Sequence, residues 1–274
     1  MRRRATVPAR VNIIGEHTDH SGGFALPFAI QERLVLDVDF SSTEYIGPAT
    51  VVDLWVAAGG PPAKLSIDSN IPIGKGMSSS AALCVAISLC VTGKSGTIET
   101  CQLAQRIEHE VLGTKCGLLD QMAMIFAKKG HATLIDFSTH SIEWLELPHS
   151  WKFKLYDSHI HRTLSNTDYG IKSTYQMKHV EEENQRVIQA LNSNPRQLGD
   201  LLNQSHKSLQ QLGVSLPAID QQVWGLQQID GVLGARMMGG GFGGMILVLV
   251  EDEHILPEAI PVLSSGSAII EEFL

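Results

Sequence analysis

The sequence lacks several features that mark specialised classes of protein. Its four cysteines, Cys84, Cys90, Cys101 and Cys116, form no CxxC pair, which argues against a zinc site or a disulfide framework. No apolar run follows the basic start of the chain, so no signal peptide is expected. The stretch "MILVLV" (245–250) is too short to cross a bilayer. These absences together predict a reduced, cytoplasmic protein that does not bind a membrane.

Basic clusters are also scarce. The chain carries 21 lysines and arginines against 29 acidic residues, a net charge of −8, and its one basic block is Arg2–Arg4. A nucleic-acid-binding protein needs a basic stripe, so none of that class is expected here.

What the chain does contain is enough apolar material for a large core. With 274 residues, of which 43% are hydrophobic, it fits one large domain or two modest ones that share a cleft. Strands and helices mix without regular βαβ alternation, which predicts an α+β protein. The boundary is predicted near Pro148, dividing the chain into residues 1–148 and 149–274.

The pattern of apolar residues predicts the main elements. Strands are expected over 5–15, 24–30, 33–40, 131–137, 153–158 and 245–250, and helices over 78–90, 98–112, 174–192 and 196–212. The helix at 78–90 starts at a serine cap and is apolar nearly all round, so it should be buried. Residues 48–70 hold a Gly-Gly-Pro-Pro breaker before a short strand.

A dense polar stretch, "IGEHTDHSGG" (14–23), sets Glu16, His17, Asp19 and His20 beside a glycine pair. A metal site, an acid/base site and a surface loop all use these residue types in this pattern. The stretch by itself leaves the three alternatives open.

Two loops rich in small residues favour close approach to a ligand. In "PIGKGMSSSAA" (72–82), glycines precede three serines and a helix start, which is typical of an anion site but also of a turn before a capped helix. Lys75 is not placed as in a Walker A loop. "GGGFGG" (239–244) matches GxGxxG, yet a strand follows it instead of a helix, which excludes the dinucleotide-binding interpretation.

Two carboxylates stand in apolar surroundings. Glu108 lies at the edge of an apolar helix face, where an unused carboxylate would be costly. Asp120, in "CGLLDQM" (116–122), is either a structural group or a partly desolvated base.

Four stretches, in order, resemble the signature motifs of galactokinases within the GHMP small-molecule kinases. "ARVNIIGEHTDHSGGFALP" resembles the galactokinase signature, "PIGKGMSSSAA" the phosphate loop, "CGLLDQM" the segment with the catalytic aspartate, and "GARMMGGGFGG" the C-terminal glycine motif. Weaker similarity continues through 158–169 and 201–209.

The resemblance implies a two-lobed fold, with an S5-like N-terminal lobe and a ferredoxin-like C-terminal lobe around the active site. It also implies transfer of the ATP γ-phosphate to the C1 hydroxyl of galactose. Separately, the protein is predicted to be a monomer. Asp120 would be the base, and Arg10 would stabilise Asp120 and the transferred phosphoryl group.

The resemblance further implies three binding sets. Mg²⁺ would be held by Ser80 and Glu108. The sugar hydroxyls would bind Glu16, His17, Asp19 and Tyr169. The nucleotide would contact the loop Gly74, Lys75, Gly76, Met77, Ser78, Ser79 and Ser80, with Gly240 and Gly241 beside it. His20 receives no role.

The match has departures that keep other functions open. Ala9, His20 and Met238 replace residues usual in the family, and the segment before the phosphate loop is short, with Trp55 as a candidate wall of the adenine pocket. The alternatives are a kinase for N-acetylgalactosamine, arabinose or galacturonate, and a catalytically weak sugar sensor. A metal protein built on His17 and His20 is disfavoured because it lacks further ligands.

Overall fold

The computed structural model describes residues 1–160 and 174–273, which contain eleven strands in three antiparallel sheets. In chain order the strands are β1 (Arg2–Asn12), β2 (Phe24–Ala25), β3 (Pro27–Asp39), β4 (Lys64–Ser69), β5 (His131–Asp136), β6 (Ser141–Glu146), β7 (Lys152–Asp157), β8 (Val232–Met237), β9 (Met245–Val250), β10 (Ile260–Pro261) and β11 (Ile269–Phe273). The sheet orders are β11-β1-β3-β4, β2-β5-β6 and β10-β7-β9-β8.

The same described residues contain seven α-helices, which pack on these sheets. They are α1 (Ala49–Ala57), α2 (Ser79–Thr92), α3 (Ile98–Leu112), α4 (Leu119–Ile125), α5 (Thr174–Ala190), α6 (Pro195–Leu212) and α7 (Pro217–Gln227), with a short 3₁₀ helix at Asp19–Ser21. The mixture of antiparallel sheets and helices confirms the predicted α+β class. None of these helices, within the described residues, is long and apolar enough to span a membrane.

Local signals set the bounds of several helices. A capping box between Asn194 and Gln197 begins α6, with Pro195 at its first position, and Gly213 in the left-handed region ends it. Helix α2 is buried over most of its length, as its apolar sequence predicts, and ends at Gly93 in the same left-handed conformation. Ser78 precedes α2 but makes no side-chain cap, because its hydroxyl is used elsewhere.

Two hydrophobic clusters form the interior. The larger one joins the first sheet to α2, α3 and α4, and it extends to β7 and β9 through Phe153 and Leu247. The smaller one lies between α6, α7 and the β8–β9 pair. The last strand, β11, returns to pair with β1, so the end of the chain completes the first sheet. The boundary at residue 148 stays a prediction.

Trp55 does not serve the role expected for it. Its side chain is fully buried in the larger cluster, packs against Phe40 and donates from Nε1 to the carbonyl of Pro61 at 2.7 Å. A tryptophan with no exposed surface offers no face to a bound adenine, so the interpretation of Trp55 as a pocket wall was wrong. The sequence of residues 48–70 gave no clear signal for helix α1, and this helix places the Trp55 side chain in the core.

Candidate active site

A single cleft brings together loops that are far apart in the chain. It has a volume of about 850 Å³, part of it open to solvent, and it is lined by the sugar loop (residues 14–23), the phosphate loop (residues 72–82), the turn before α4 and the glycine loop (residues 239–244). Its lining residues include Arg10, Glu16, His17, Asp19, Gly74, Gly76, Ser78, Ser79, Ser80, Glu108, Asp120 and Gly240.

Asp120 is held from two sides at the centre of this cleft. Its Oδ1 accepts from Arg10 Nε at 2.8 Å and lies 2.7 Å from Nη2, while Oδ2 accepts from the Ser78 hydroxyl at 2.5 Å. Arg10 is 3% exposed, so this ion pair is largely shielded from water. Each carboxylate oxygen can accept a second hydrogen bond, which leaves Asp120 able to receive a substrate hydroxyl.

Arg10 also joins Asp120 to the phosphate loop. Its Nη1 donates to the carbonyl of Gly76 at 2.7 Å. One guanidinium therefore fixes both the candidate base and the loop that would hold the nucleotide, and its charge is available to a transferred phosphoryl group.

Glu108 is a buried carboxylate whose hydrogen-bond partners are all neutral. Oε1 accepts from Ser80 Oγ at 2.8 Å, and Oε2 accepts from Gln121 Nε2 at 3.0 Å and from the Cys116 thiol at 3.4 Å. Burial, reinforced by the charge of Asp120, raises the pKa of Glu108 to about 7. An uncompensated carboxylate beside a hydroxyl in a cleft fits a hard cation such as Mg²⁺. No group of three or more His, Cys, Asp or Glu ligands occurs within the described residues.

Glu16 is fixed as an anion at the other end of the cleft. Its Oε1 accepts from the backbone N–H of Gly239 at 2.8 Å and from Arg236 Nη2 at 3.2 Å. Burial alone raises the pKa of Glu16, but the charges of Arg236 and Arg10 and the Gly239 bond lower it to about 2. Motif reading did not single out Arg236, since no local pattern links it to a residue 220 positions earlier.

Asp19 faces the turn that carries Asp120. Its Oδ2 accepts from the backbone N–H of Leu119 at 3.3 Å. Gly117 allows this contact, since a Cβ there would lie 2.0 Å from the same oxygen. Burial raises the pKa of Asp19, and the neighbouring His20 opposes that shift. His20, which received no role from the sequence, is exposed and lines the cleft.

Three of the residues predicted to contact the nucleotide do not line the cleft. Met77 is a buried core residue, and the side chain of Lys75 is directed to Asp157. Gly241 packs against the backbone of Val214, where a Cβ would lie 2.1 Å from the Val214 carbonyl oxygen. Nucleotide contacts by these three stay predictions, and Tyr169 lies outside the described residues.

Backbone strain is found in both ligand loops. His17 and Ser78 have φ values of 59° and 60°, in the left-handed region that residues with side chains rarely adopt. Such conformations persist where the surroundings impose them, often at functional sites.

Side chains of helix α5 contact backbone groups of the sugar loop and of Phe24, which follows it. The sequence motifs did not indicate this relationship. Glu183 Oε1 accepts from the Gly15 N–H at 3.0 Å, His179 Nε2 lies 2.9 Å from the Glu16 carbonyl oxygen, and Asn184 Oδ1 accepts from the Phe24 N–H at 2.8 Å. These three residues recur with helical spacing, so one face of α5 sets the position of the loop.

Replacing Glu183 with glutamine should loosen this attachment. Glu183 is fully buried, and its Oε2 accepts from Nε of Arg186, which is also buried, at 2.7 Å. Removing the charge leaves Arg186 only the more exposed and more distant Glu182 as an acidic partner, and breaking a buried pair costs about 3 kcal/mol. We expect the free energy of unfolding in urea to fall by that amount and the affinity of the cleft for its sugar to weaken severalfold.

Glu182→Gln is the matched control for this experiment. Glu182 is the preceding residue of α5, is 40% exposed and lies 3.7 Å from Arg186 Nη1. Its loss should therefore change the unfolding free energy by less than about 0.5 kcal/mol. Equal effects of the two substitutions would contradict a specific role for Glu183.

The chain matches three family descriptions in the order of its loops. Residues 3–38 match the galactokinase galactose-binding signature, residues 48–128 the GHMP kinases N terminal domain, and residues 187–265 the GHMP kinases C terminal region.

Sequence relatives cover nearly the whole chain. A galactokinase of Thermotoga maritima is 33% identical over 312 aligned positions, covering 90% of this chain and 89% of the relative. A galactokinase of Thermosipho africanus is 31% identical, with 91% and 89% covered.

Solved structures share the same fold. The galactokinase of Lactococcus lactis, solved in complex with galactose, superposes with a TM-score of 0.84 at 22% identity, covering 98% of this chain and 95% of the other. The mevalonate kinase of Methanococcus jannaschii gives 0.72 at 18% identity, covering 96% and 98%. The two-lobed GHMP kinase architecture is therefore the fold of this chain, as expected.

Proposed function

The chain belongs to the galactokinase family of the GHMP kinases, and from this premise we propose that it transfers the γ-phosphate of ATP to the C1 hydroxyl of galactose. One observation carries the proposal: Asp120, paired with Arg10, lies in a cleft shared by the sugar loop and the phosphate loop. A carboxylate in that position is placed to contact a sugar hydroxyl while a nucleotide lies on the other side.

The transfer itself relies on positioning and charge more than on covalent help from the protein. Asp120 accepts the proton of the C1 hydroxyl as the oxygen attacks the γ-phosphorus, and the bond from that phosphorus to the β–γ bridging oxygen breaks to release ADP. Ser78 orients the carboxylate through its 2.5 Å bond to Oδ2. Arg10 pairs with the Asp120 carboxylate and offsets the negative charge that develops on the phosphoryl group. Backbone N–H groups of the phosphate loop, where it begins α2, hold the phosphates.

The sugar is held by the anionic end of the cleft. Glu16, His17 and Asp19 bind its hydroxyls, because carboxylates accept from adjacent hydroxyls with defined geometry. Tyr169 is proposed as the fourth contact. A site built to pair with hydroxyls rejects sugars that lack them, since its buried polar groups would be left unpaired.

Ser80 and Glu108 are the residues that would hold Mg²⁺. When bound, the ion would neutralise charge on the ATP phosphates. The hydrogen-bond partners of Glu108 are the neutral side chains of Ser80, Gln121 and Cys116, which leaves its charge available to a cation.

A sugar panel tests the substrate. With Mg-ATP, we expect kcat/KM to be highest for galactose, about 10-fold or more lower for N-acetylgalactosamine and arabinose, and lowest for galacturonate. The last expectation follows because the ionised Glu16 would repel the carboxylate of galacturonate. Coupled measurement of ADP release gives the values, and faster turnover of any rival sugar would replace galactose as the substrate.

The second candidate, a sugar sensor with weak catalysis, is favoured by the compact segment between β3 and the phosphate loop, and disfavoured by the intact Arg10–Asp120 pair. Galactose binding in calorimetry without any galactose-dependent ADP release would establish the sensor.

A further inference from the structure

Lys75 is the charged residue of the phosphate loop, and its side chain turns away from the cleft. Its Nζ lies 2.7 Å from both carboxylate oxygens of Asp157, the last residue of β7. The two side chains are 14% and 28% exposed, so the ion pair is partly shielded from solvent. Although burial raises the pKa of Asp157, the hydrogen bond from Lys75 and the His159 N–H lower it overall.

A second contact joins the same loop residue to the same sheet. The Lys75 carbonyl accepts from the backbone N–H of Met245 at 2.9 Å, and Met245 is the residue that faces Asp157 across the β7–β9 pair. Gly244 makes this approach feasible, because a Cβ there would lie 2.7 Å from the Lys75 carbonyl group. Side chain and backbone of Lys75 are therefore attached to one rung of a sheet.

The next residue of the phosphate loop, Gly76, is held by a different sheet, the one that contains β1. Arg10, on β1, donates to the Gly76 carbonyl. Gly74 and Gly76 both have positive φ, 73° and 78°, so the loop has glycine freedom on each side of Lys75. Ordering such a loop costs conformational entropy, and preorganised contacts lower that cost when a ligand binds.

We propose that the ion pair between Lys75 and Asp157 is a positioning contact that attaches the phosphate loop to the β7–β9 sheet and so sets nucleotide affinity. This inference rests on the proposed function, because it assigns a role within the nucleotide half of that site. The competing arrangement is that Lys75 leaves Asp157 and binds a phosphate directly. The two arrangements predict different effects of Asp157 replacement on nucleotide affinity.

The test compares Lys75→Met, Asp157→Asn and the double variant. Each single substitution should weaken ADP binding, measured by calorimetry with Mg²⁺ and without sugar, by about 10-fold. The double variant should be no weaker than either single, because the three proteins lack the same contact. The KM for ATP should rise in parallel, while the KM for galactose stays within twofold. Lys75→Arg, which keeps the pair, should restore affinity to within about threefold of wild type.

A matched ion pair on the same strand serves as the control. Lys152, the first residue of β7, lies 3.5 Å from Asp252, and neither lines the cleft. Lys152→Met and Asp252→Asn should leave ADP binding within twofold of wild type. Thermal melting of every variant establishes that it is folded before affinity is compared.

The contrary outcomes are distinct. If Lys75→Met weakens ADP binding while Asp157→Asn leaves it unchanged or strengthens it, Lys75 binds phosphate directly and the positioning role is wrong. If folded variants all bind ADP as wild type does, the contact has no role in nucleotide affinity. If wild type itself fails to bind ADP, the proposed kinase function falls, and this inference with it.

Discussion

Replacing Asp120 with asparagine should lower kcat for galactose phosphorylation by about 10³-fold or more while changing the KM of either substrate only a few fold. General base catalysis contributes roughly 10²- to 10⁴-fold, and an amide has no basic oxygen to take the C1 hydroxyl proton. The substitution also removes the negative partner of Arg10, whose guanidinium is 3% exposed, and so disturbs the charge that faces the phosphoryl group. Coupled measurement of ADP release at saturating ATP and galactose gives the effect.

Ser78→Ala is the control for Asp120→Asn. It removes the hydrogen bond to Oδ2 but leaves the carboxylate and its Arg10 pair, so kcat should fall about 10-fold. Calorimetry with galactose should show that Asp120→Asn still binds the sugar. If Asp120→Asn retains kcat within 10-fold of wild type, Asp120 is not the base, and its carboxylate acts only by holding Arg10 in place.

Replacing Arg236 with methionine should produce the largest loss of stability. Arg236 is fully buried and donates to the carbonyls of Asn12, Ile13 and Met237 as well as to Glu16 Oε1. Breaking a buried ion pair by removing one partner costs about 3–5 kcal/mol, because the other charge stays buried without compensation. For a chain of this size the melting temperature should fall by about 10 °C. Sugar affinity should fall with it, since the Glu16 carboxylate loses its orientation.

The pH dependence of the free energy of unfolding tests whether the loss of the Glu16 ion pair causes the instability of Arg236→Met. In the wild type the pKa of Glu16 is lowered from 4.5 to about 2, so its ionisation contributes stability that is present above pH 4.5 and is lost as pH falls towards 2. The contribution is about 3 kcal/mol. In Arg236→Met the pKa of Glu16 should rise towards or above its ordinary value, because burial then acts with less opposition. Urea denaturation at pH 7 and pH 3 should therefore show the variant losing less stability on acidification than wild type.

Arg33→Met provides the comparison for Arg236→Met. Arg33 is half-buried and donates to the carbonyls of Gly266 and Ser267. Both acceptors are neutral, whereas Arg236 also donates to a carboxylate. Its loss should lower stability by a similar amount at both pH values. If Arg236→Met behaves in this way too, the Glu16 pair is not what Arg236 stabilises.

Long, regular segments of the fold were predictable from the sequence. Helix α3 begins at Ile98 and ends at Leu112, and β9 spans Met245–Val250, both as their apolar patterns predict. The strands expected at 24–30 and 33–40 became a two-residue strand and one long strand, β3. The long strand continues through the polar residues 31 and 32, which lie at a register shift in the pairing between β1 and β3. Helix α4, with seven residues, and α7 were missed, since short elements carry too few turns for periodicity to appear.

Within the cleft, the sequence determined which segments are candidates to carry the chemistry. Ordered motifs identified Arg10, Asp120, Ser80 and Glu108, and the structure brings all four to one cleft. Only the tertiary structure decided which charges meet. The Arg236 pair with Glu16, the Glu183 bond to Gly15 and the Lys75 pair with Asp157 join residues 82 to 220 positions apart. Such contacts depend on how sheets and helices pack, and local spacing holds no information about partners that distant in the chain.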